Sequence, residues 1–322
     1  MNRRHLLRAL GAALLPGLAG AQAPAWPARP LKLIVPFPPG GTTDLVARLV
    51  ATQMAATLGQ PVVVDNKPGA GTVIGVDAGA KAAPDGLTLT CVANSFCVNQ
   101  TLVKNLPYDG LRDLRPVGLM GLSEHVLASH PGSGIRSLAD LRAAARQPGA
   151  RLSYASFGSG TSAHLAGEML REQMGIELTH IPYKGQAPAL NDLLGGQVTL
   201  MFGNWPEFRA HVQTGKLVAV GMATAQRSAY APDIPTLTEQ GVAVESNSWN
   251  GLLVPTSTPD AVVARLNAAL RQALETAAVR EAFAKGSIRS LAGTPEQFGQ
   301  FIRSEVARYA QVIRSAHISA ES

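Results

Sequence analysis

The chain has 322 residues, 46% of them hydrophobic and 16% charged, which is enough apolar matter for about two globular domains and too much for disorder. The formal charge of +6 rests partly on Arg3, Arg4 and Arg8; without them 25 basic residues face 22 acidic ones, leaving +3. No basic run interleaved with aromatics is present, so a nucleic-acid partner is excluded on charge grounds.

The first 21 residues carry an export pattern. Arg3, Arg4 and Arg8 form a basic start, and Leu10 to Leu18 form a short apolar run broken by Pro16. Ala19-Gly20-Ala21 then places small residues at −3 and −1 of a cleavage site before Gln22. A spanning helix needs about 20 apolar residues and this run is shorter. Residues 1–21 are therefore expected to be a signal peptide and the mature protein periplasmic, with the Sec and twin-arginine routes both open.

Strand-like and helix-like runs then alternate. LKLIVPF (31–37) reads as a buried strand, and residues 43–58 as a helix whose apolar positions recur at helical spacing before Gly59 stops it. PVVVDN (61–66) is a second strand, GAGTVIGVDAGAKA (69–82) a small-residue helix and LTLTCVA (87–93) a third strand. Cys91 and Cys97 are the only cysteines; they read as buried free thiols, with a disulfide left open.

The pattern restarts with a helix at 137–149 capped by Ser137, a strand at 152–156 and a helix at 161–174 that stops at Gly175. Strands at 178–183, 198–203 and 216–224 surround a short helix at 187–196. Two helices close the chain. One spans 257–279, with Thr258 as cap and Pro259 first; the other spans 294–316, with Thr294, Pro295 and Glu296. This order predicts two α/β units with largely parallel sheets. They are expected at 27–125 plus 229–322 and at 126–228, joined by crossing strands with a cleft between them.

The candidate chemistry lies in strand-to-helix turns. In VPFPPGGTTD (35–44), Gly40 and Gly41 free the backbone, Thr42 or Thr43 caps the helix and Asp44 enters its first turn. The phosphate-loop lysine and the dinucleotide G-x-G-x-x-G are both missing, so the turn suits a single carboxylate. SFGSGTSAHL (156–165), KPGAGTVIG (67–75) and YKGQAPAL (183–190) repeat the device, the last with Pro188 placed to start a helix. Each turn alone is more often packing than binding, and His164 alone reads as a packed histidine. Trp249 reads as core, while Trp205 follows a strand end where it would line a cleft.

A serine hydrolase is the rival class. Ser159, His164 and Asp44 are the right residue types, but Ser159 lacks the G-x-S-x-G elbow and His164 lies five residues down a helix. No metal motif and no cofactor fingerprint is present.

Taken in order, VPFPPGGTTD, DNKPGAGTVIG (65–75), PDGLTL (84–89), LPYD (106–109), YASFGSGTSAHLAGE (154–168), HIPYKGQAPAL (180–190), PTLTEQG (235–241) and WNGLLVPTSTP (249–259) resemble the Bug-type solute-binding receptors of tripartite tricarboxylate transporters. The resemblance implies a two-lobed, type II-like Venus-flytrap binding protein that is not an enzyme and needs no cofactor. It implies a monomer that closes on a small carboxylate and delivers it to two integral-membrane permease subunits. A sensor-kinase receptor on the same fold is the alternative. Carried over by position, the ligand contacts are Phe37, Gly40, Gly41, Thr42, Asp44, Ala70, Phe157, Gly158, Ser159, Thr161, Ser162, His164, Gly185, Pro188 and Asn204. One departure stands out. The family's strand matching LMFG usually ends in an aspartate, and here Gly203 and Asn204 follow instead. That loss is expected to disfavour an ammonium at the ligand's far end.

Overall fold

The computed structural model describes residues 26–316 and 318. The expected export segment lies outside them. The chain opens with β1 (Leu31–Val35), α1 (Thr42–Leu58), β2 (Val62–Asn66), α2 (Val73–Ala80), β3 (Thr88–Ala93) and α3 (Asn94–Leu102). β1 lies between β2 and β3 and is parallel to both. In α1, Val46, Ala47, Val50, Ala51, Met54 and Leu58 form one buried stripe, and Gly59 ends the helix at φ 71°.

β4 (Leu114–Ser129) is the pivot. Its first part, to Glu124, pairs antiparallel with β9 (Asn247–Pro255). From His125 onward it pairs with β7 (Leu200–Asn204) and β8 (Val218–Met222). Between these come α4 (Leu138–Ala145), β5 (Ser153–Ser156), α5 (Ser162–Met174), β6 (Thr179–Pro182), α6 (Gln186–Leu194) and α7 (Trp205–Gln213). α8 (Asp260–Glu275), α9 (Ala277–Lys285), β10 (Ile288–Ser290) and α10 (Pro295–Ser315) complete the chain. The strand order is β2-β1-β3-β9-β4-β7-β5-β6, with β8 and β10 also on β4.

Helices cover both faces of each half of this sheet, so apolar side chains fill four clusters. In the first half, Leu33, Met54, Leu252 and Leu270 pack on one face, and Phe96, Trp249, Phe298 and Tyr309 on the other. In the second half, Leu127, Tyr154, Leu170 and Phe202 oppose Met201, Trp205, Phe208 and Met222. Trp249 is core, as expected. Trp205 is core rather than cleft lining, at 4% exposure.

Several local expectations are corrected. Residues 229–246 do not belong with the first unit. Ala231, Leu237, Val242 and Val244 are buried in the second unit's clusters, so the chain crosses back only at Asn247. The helix expected at 257–279 is broken at Thr276, whose extended backbone (ψ 147°) ends α8 while its side chain caps α9 by accepting from Val279 N. Pro259, not Thr258, stands at the N-cap of α8. Cys91 and Cys97 are both free and buried, on opposite faces of the sheet. Burial pushes the Cys91 thiol up to about 12, so it is inert at neutral pH. Among the described residues, no helix is long and apolar enough to cross a membrane, and no His/Cys/Asp/Glu group could hold a metal.

Candidate functional site

The first turn, between β1 and α1, is built around a buried carboxylate. Asp44 is 2% exposed. Its Oδ2 accepts from Gly40 N (2.9 Å) and Arg48 Nε (2.9 Å), and its Oδ1 accepts from Asn66 Nδ2 (2.8 Å). Burial pushes Asp44 up, but hydrogen bonds from Arg48, Gly40 and Asn66 together outweigh it and hold its carboxyl below the usual range. Asn66 also donates to Phe37 O (3.0 Å), so β2 ties down both ends of the turn. Gly40 sits at φ 89°, where a side chain would be strained.

Neither threonine is the cap. Gly41 occupies the N-cap, so no side chain caps the N–H groups of the first turn. The hydroxyls reach outward instead. Thr43 Oγ1 accepts from Asn250 Nδ2 (3.1 Å), and Thr42 Oγ1 donates to Glu207 Oε1 on α7, across the cleft.

The second turn, between β5 and α5, rests on two stacked histidines. Thr161 caps α5, accepting from His164 N, and its hydroxyl donates to Gly158 O (2.7 Å). His164 is 1% exposed, and its Nδ1 accepts from Gly160 N (3.1 Å). Its ring stacks on His180 at 4.0 Å, and His180 Nε2 meets Ser156 Oγ at 2.7 Å. Burial pushes His164 and His180 down to about 4, with His164 further disfavouring a charge on His180, so both rings are neutral at physiological pH. Ser162 is buried, and its carbonyl accepts from Ser246 Oγ (3.2 Å). Phe157 sets its ring edge-on to His125 at 5.8 Å.

The third turn approaches the second. Gly69, Ala70, Gly71 and Thr72 all have positive φ, so α2 starts only at Val73 rather than at residue 69. Asn99 of α3 donates to Gly71 O (2.8 Å). A Cβ at Gly160 would lie 2.9 Å from Leu102 and 4.0 Å from Asn99 Oδ1, so the second turn seats directly on α3. In the fourth turn Gly185 takes φ 115° before α6, and Gly158 comes within 3.4 Å (Cβ position) of Tyr183 O. Pro188 is exposed, within the first turn of the helix. The structure thus brings together the turns at 37–44, 69–72, 157–161 and 183–186, which come from both halves of the sheet.

The residue that sequence reasoning missed is Glu207. Position 203 could not carry the family's acid here, because a Cβ would lie 2.2 Å from the Phe208 ring. Glu207 stands a few residues further on, in the first turn of α7. Burial pushes its pKa above the usual carboxylate range; Thr42, its own backbone N–H and the Gln186 and Asn204 amides oppose this without cancelling it. Asn204 lies at the end of β7, buried, with its N–H donating to Gln186 Oε1 (3.1 Å).

Two α/β halves joined by β4 and β9, with glycine turns meeting between them, define a two-lobed periplasmic binding protein. Solved structures of that class share the fold. The periplasmic binding protein BugD superposes with a TM-score of 0.83 at 34% identity, covering 91% of this chain and 99% of BugD. A Rhodopseudomonas palustris protein with adipate gives 0.84 at 31% identity, over 91% and 99% of the two chains. MatC from the same organism, with bound malate, gives 0.80 at 31% identity, over 89% and 99%. Protein BugT of Bordetella pertussis is 38% identical over 321 residues, 98% of each chain. Residues 46–318 match the tripartite tricarboxylate transporter family receptor. The chain belongs to that family of receptors.

Proposed function

We propose that this protein is an exported, non-enzymatic receptor that captures a small carboxylate between its lobes and passes it to a two-subunit tripartite tricarboxylate-type permease. The observation that carries this reading is the start of α1, which no side chain caps and whose Thr42 hydroxyl reaches Glu207 of the second lobe. Uncapped first-turn N–H groups and a hydroxyl suit one carboxylate, while no lysine or arginine within the turn would balance a polyphosphate. Gly158, Ser159 and Thr161 supply the opposing wall. The similar proteins with adipate and malate support a carboxylate as the ligand class.

The roles of the predicted contacts divide. Phe37, Gly40, Gly41, Thr42, Ala70, Phe157, Gly158, Ser159, Thr161, Gly185 and Asn204 are assigned to the ligand side. Asp44, Ser162 and His164 brace the turns from behind, and Pro188 only starts α6. His164 Nδ1 is already taken by Gly160 N–H, which argues against a base for Ser159. A thermal-shift screen of mono-, di- and tricarboxylates, amino acids and aromatic acids tests the reading. At least one acid is expected to raise Tm by several degrees; a flat response across the whole screen counts against it.

A further inference from the structure

Glu207 is an acid without a counter-charge. None of the ion pairs among the described residues involves it. Its Oε1 is held by Thr42, while Oε2 is buried and has no hydrogen-bond partner. Around it, Asn204 Oδ1 is also buried and unpartnered, Asn204 is only 6% exposed, and the Gln186 amide lies beside the carboxylate. The bond from the Asn204 backbone N–H to Gln186 Oε1 fixes the Gln186 side chain against the end of β7. Buried polar atoms without partners are costly, and two acceptors on neighbouring residues, Glu207 Oε2 and Asn204 Oδ1, mark a place completed by a donor.

The chemistry of that missing group can be narrowed. A second ligand carboxylate beside Glu207 would set two acids together with no cation between them, forcing one to take a proton. A hydroxyl could donate to Oε2 but would leave the charge unbalanced. An ammonium does both: it offers three N–H donors and a positive charge, and charge-assisted bonds are about twice as strong as neutral ones. Asn204 Oδ1 supplies a further acceptor.

We propose that Glu207 is the specificity-determining residue for the ligand's second functional group, selecting a cationic nitrogen, so that this receptor takes a small amino carboxylate in preference to a dicarboxylate. The proposal rests on the reading of the cleft as a carboxylate seat. It reverses the expectation drawn from Gly203 and Asn204, because the acid is displaced along the chain rather than lost.

Two matched pairs of probes test it by titration calorimetry on the mature protein. L-aspartate and L-malate share a skeleton and differ in ammonium against hydroxyl; 6-aminohexanoate and adipate differ in ammonium against carboxylate. In at least one pair the amino member is expected to bind at least about tenfold tighter. Glu207→Gln keeps the shape and is expected to bring that ratio to near parity or reverse it. Gly158→Ala, on the opposite wall and away from Glu207, is expected to weaken both members and leave the ratio unchanged. Should Glu207→Gln not fold, the wild-type ratios still decide. Binding of malate or adipate without a preference for the amino partner overturns the Glu207 assignment and leaves the carboxylate reading standing. A ratio that survives in a folded Glu207→Gln protein overturns it as well, and failure of all four probes overturns both.

Discussion

His125 and His164, both buried, and half-buried His180 are hydrogen-bonded histidines that brace the fold. His125 lies where β4 passes between lobes, with Ser246 Oγ on Nδ1 and Ser248 Oγ on Nε2, each at 2.9 Å. Burial pushes it down to about 3. All three rings thus have native pKa values well below the unfolded value of about 6.5. An imidazole depressed in this way contributes stability above its unfolded pKa and loses it as pH falls toward the folded value, because the unfolded chain takes the protons first. Unfolding free energy is therefore expected to drop between about pH 6.5 and about pH 4. Denaturant titrations at several pH values check this, and His164→Gln should make the slope shallower. A slope that stays as steep in that variant would place the acid sensitivity elsewhere. Sequence spacing placed His164 on the right turn but could not show its stacking partner, which lies on another strand. Glu207 was invisible for a related reason: its reach to Thr42 spans 165 residues and exists only once the lobes are assembled.

At the scale of elements, the strand-turn-helix units were legible because period and punctuation agree. Val46 to Leu58 repeat at helical spacing, Gly59 stops the helix, and Thr294 caps α10 as expected, in a capping box completed by Gln297. β4 was not legible. Gly118 and Gly121 interrupt its alternation, with register shifts beside each, since a Cβ there would press on Leu270 or on Ile288 and Phe283. The split between α8 and α9 was hidden because Thr276 and its neighbours keep a helical composition. The first turn makes a prediction at this scale. Asp44 joins the turn, α1 and β2, so Asp44→Ala leaves Arg48, Asn66 and Gly40 N–H without their acceptor. A loss of about 2–4 kcal/mol is expected, discounted toward the lower end because Arg48 is half exposed. Denaturant unfolding measures it, and ligand affinity should fall with it. Unchanged stability would show that the turn holds its shape unaided.

The whole molecule is two lobes hung on two strands. The chain passes between them along β4 and returns through Ser246 into β9, and the Ser246 hydroxyl meets both His125 Nδ1 on β4 and Ser162 O at the start of α5. Such paired crossings suit a hinge, in which a few residues near 124–125 and 246–247 absorb the motion while the packed lobes stay rigid. The two-unit organisation followed from the restart of the βα pattern. The second boundary did not, because 229–246 contain no long strand or helix and join their lobe only through scattered apolar residues such as Leu237 and Val244.

The central claim is that one small carboxylate is held by both lobes at once. Titration calorimetry tests it most directly, using the acid that gives the largest thermal shift against wild type, Thr42→Val in the first lobe and Gly158→Ala in the second. The account predicts one ligand per chain and a loss of about tenfold or more from either change, since each removes a wall of the same seat and Gly158 sits at φ 136°. Affinity that responds to only one of the two changes, or to neither, would contradict it.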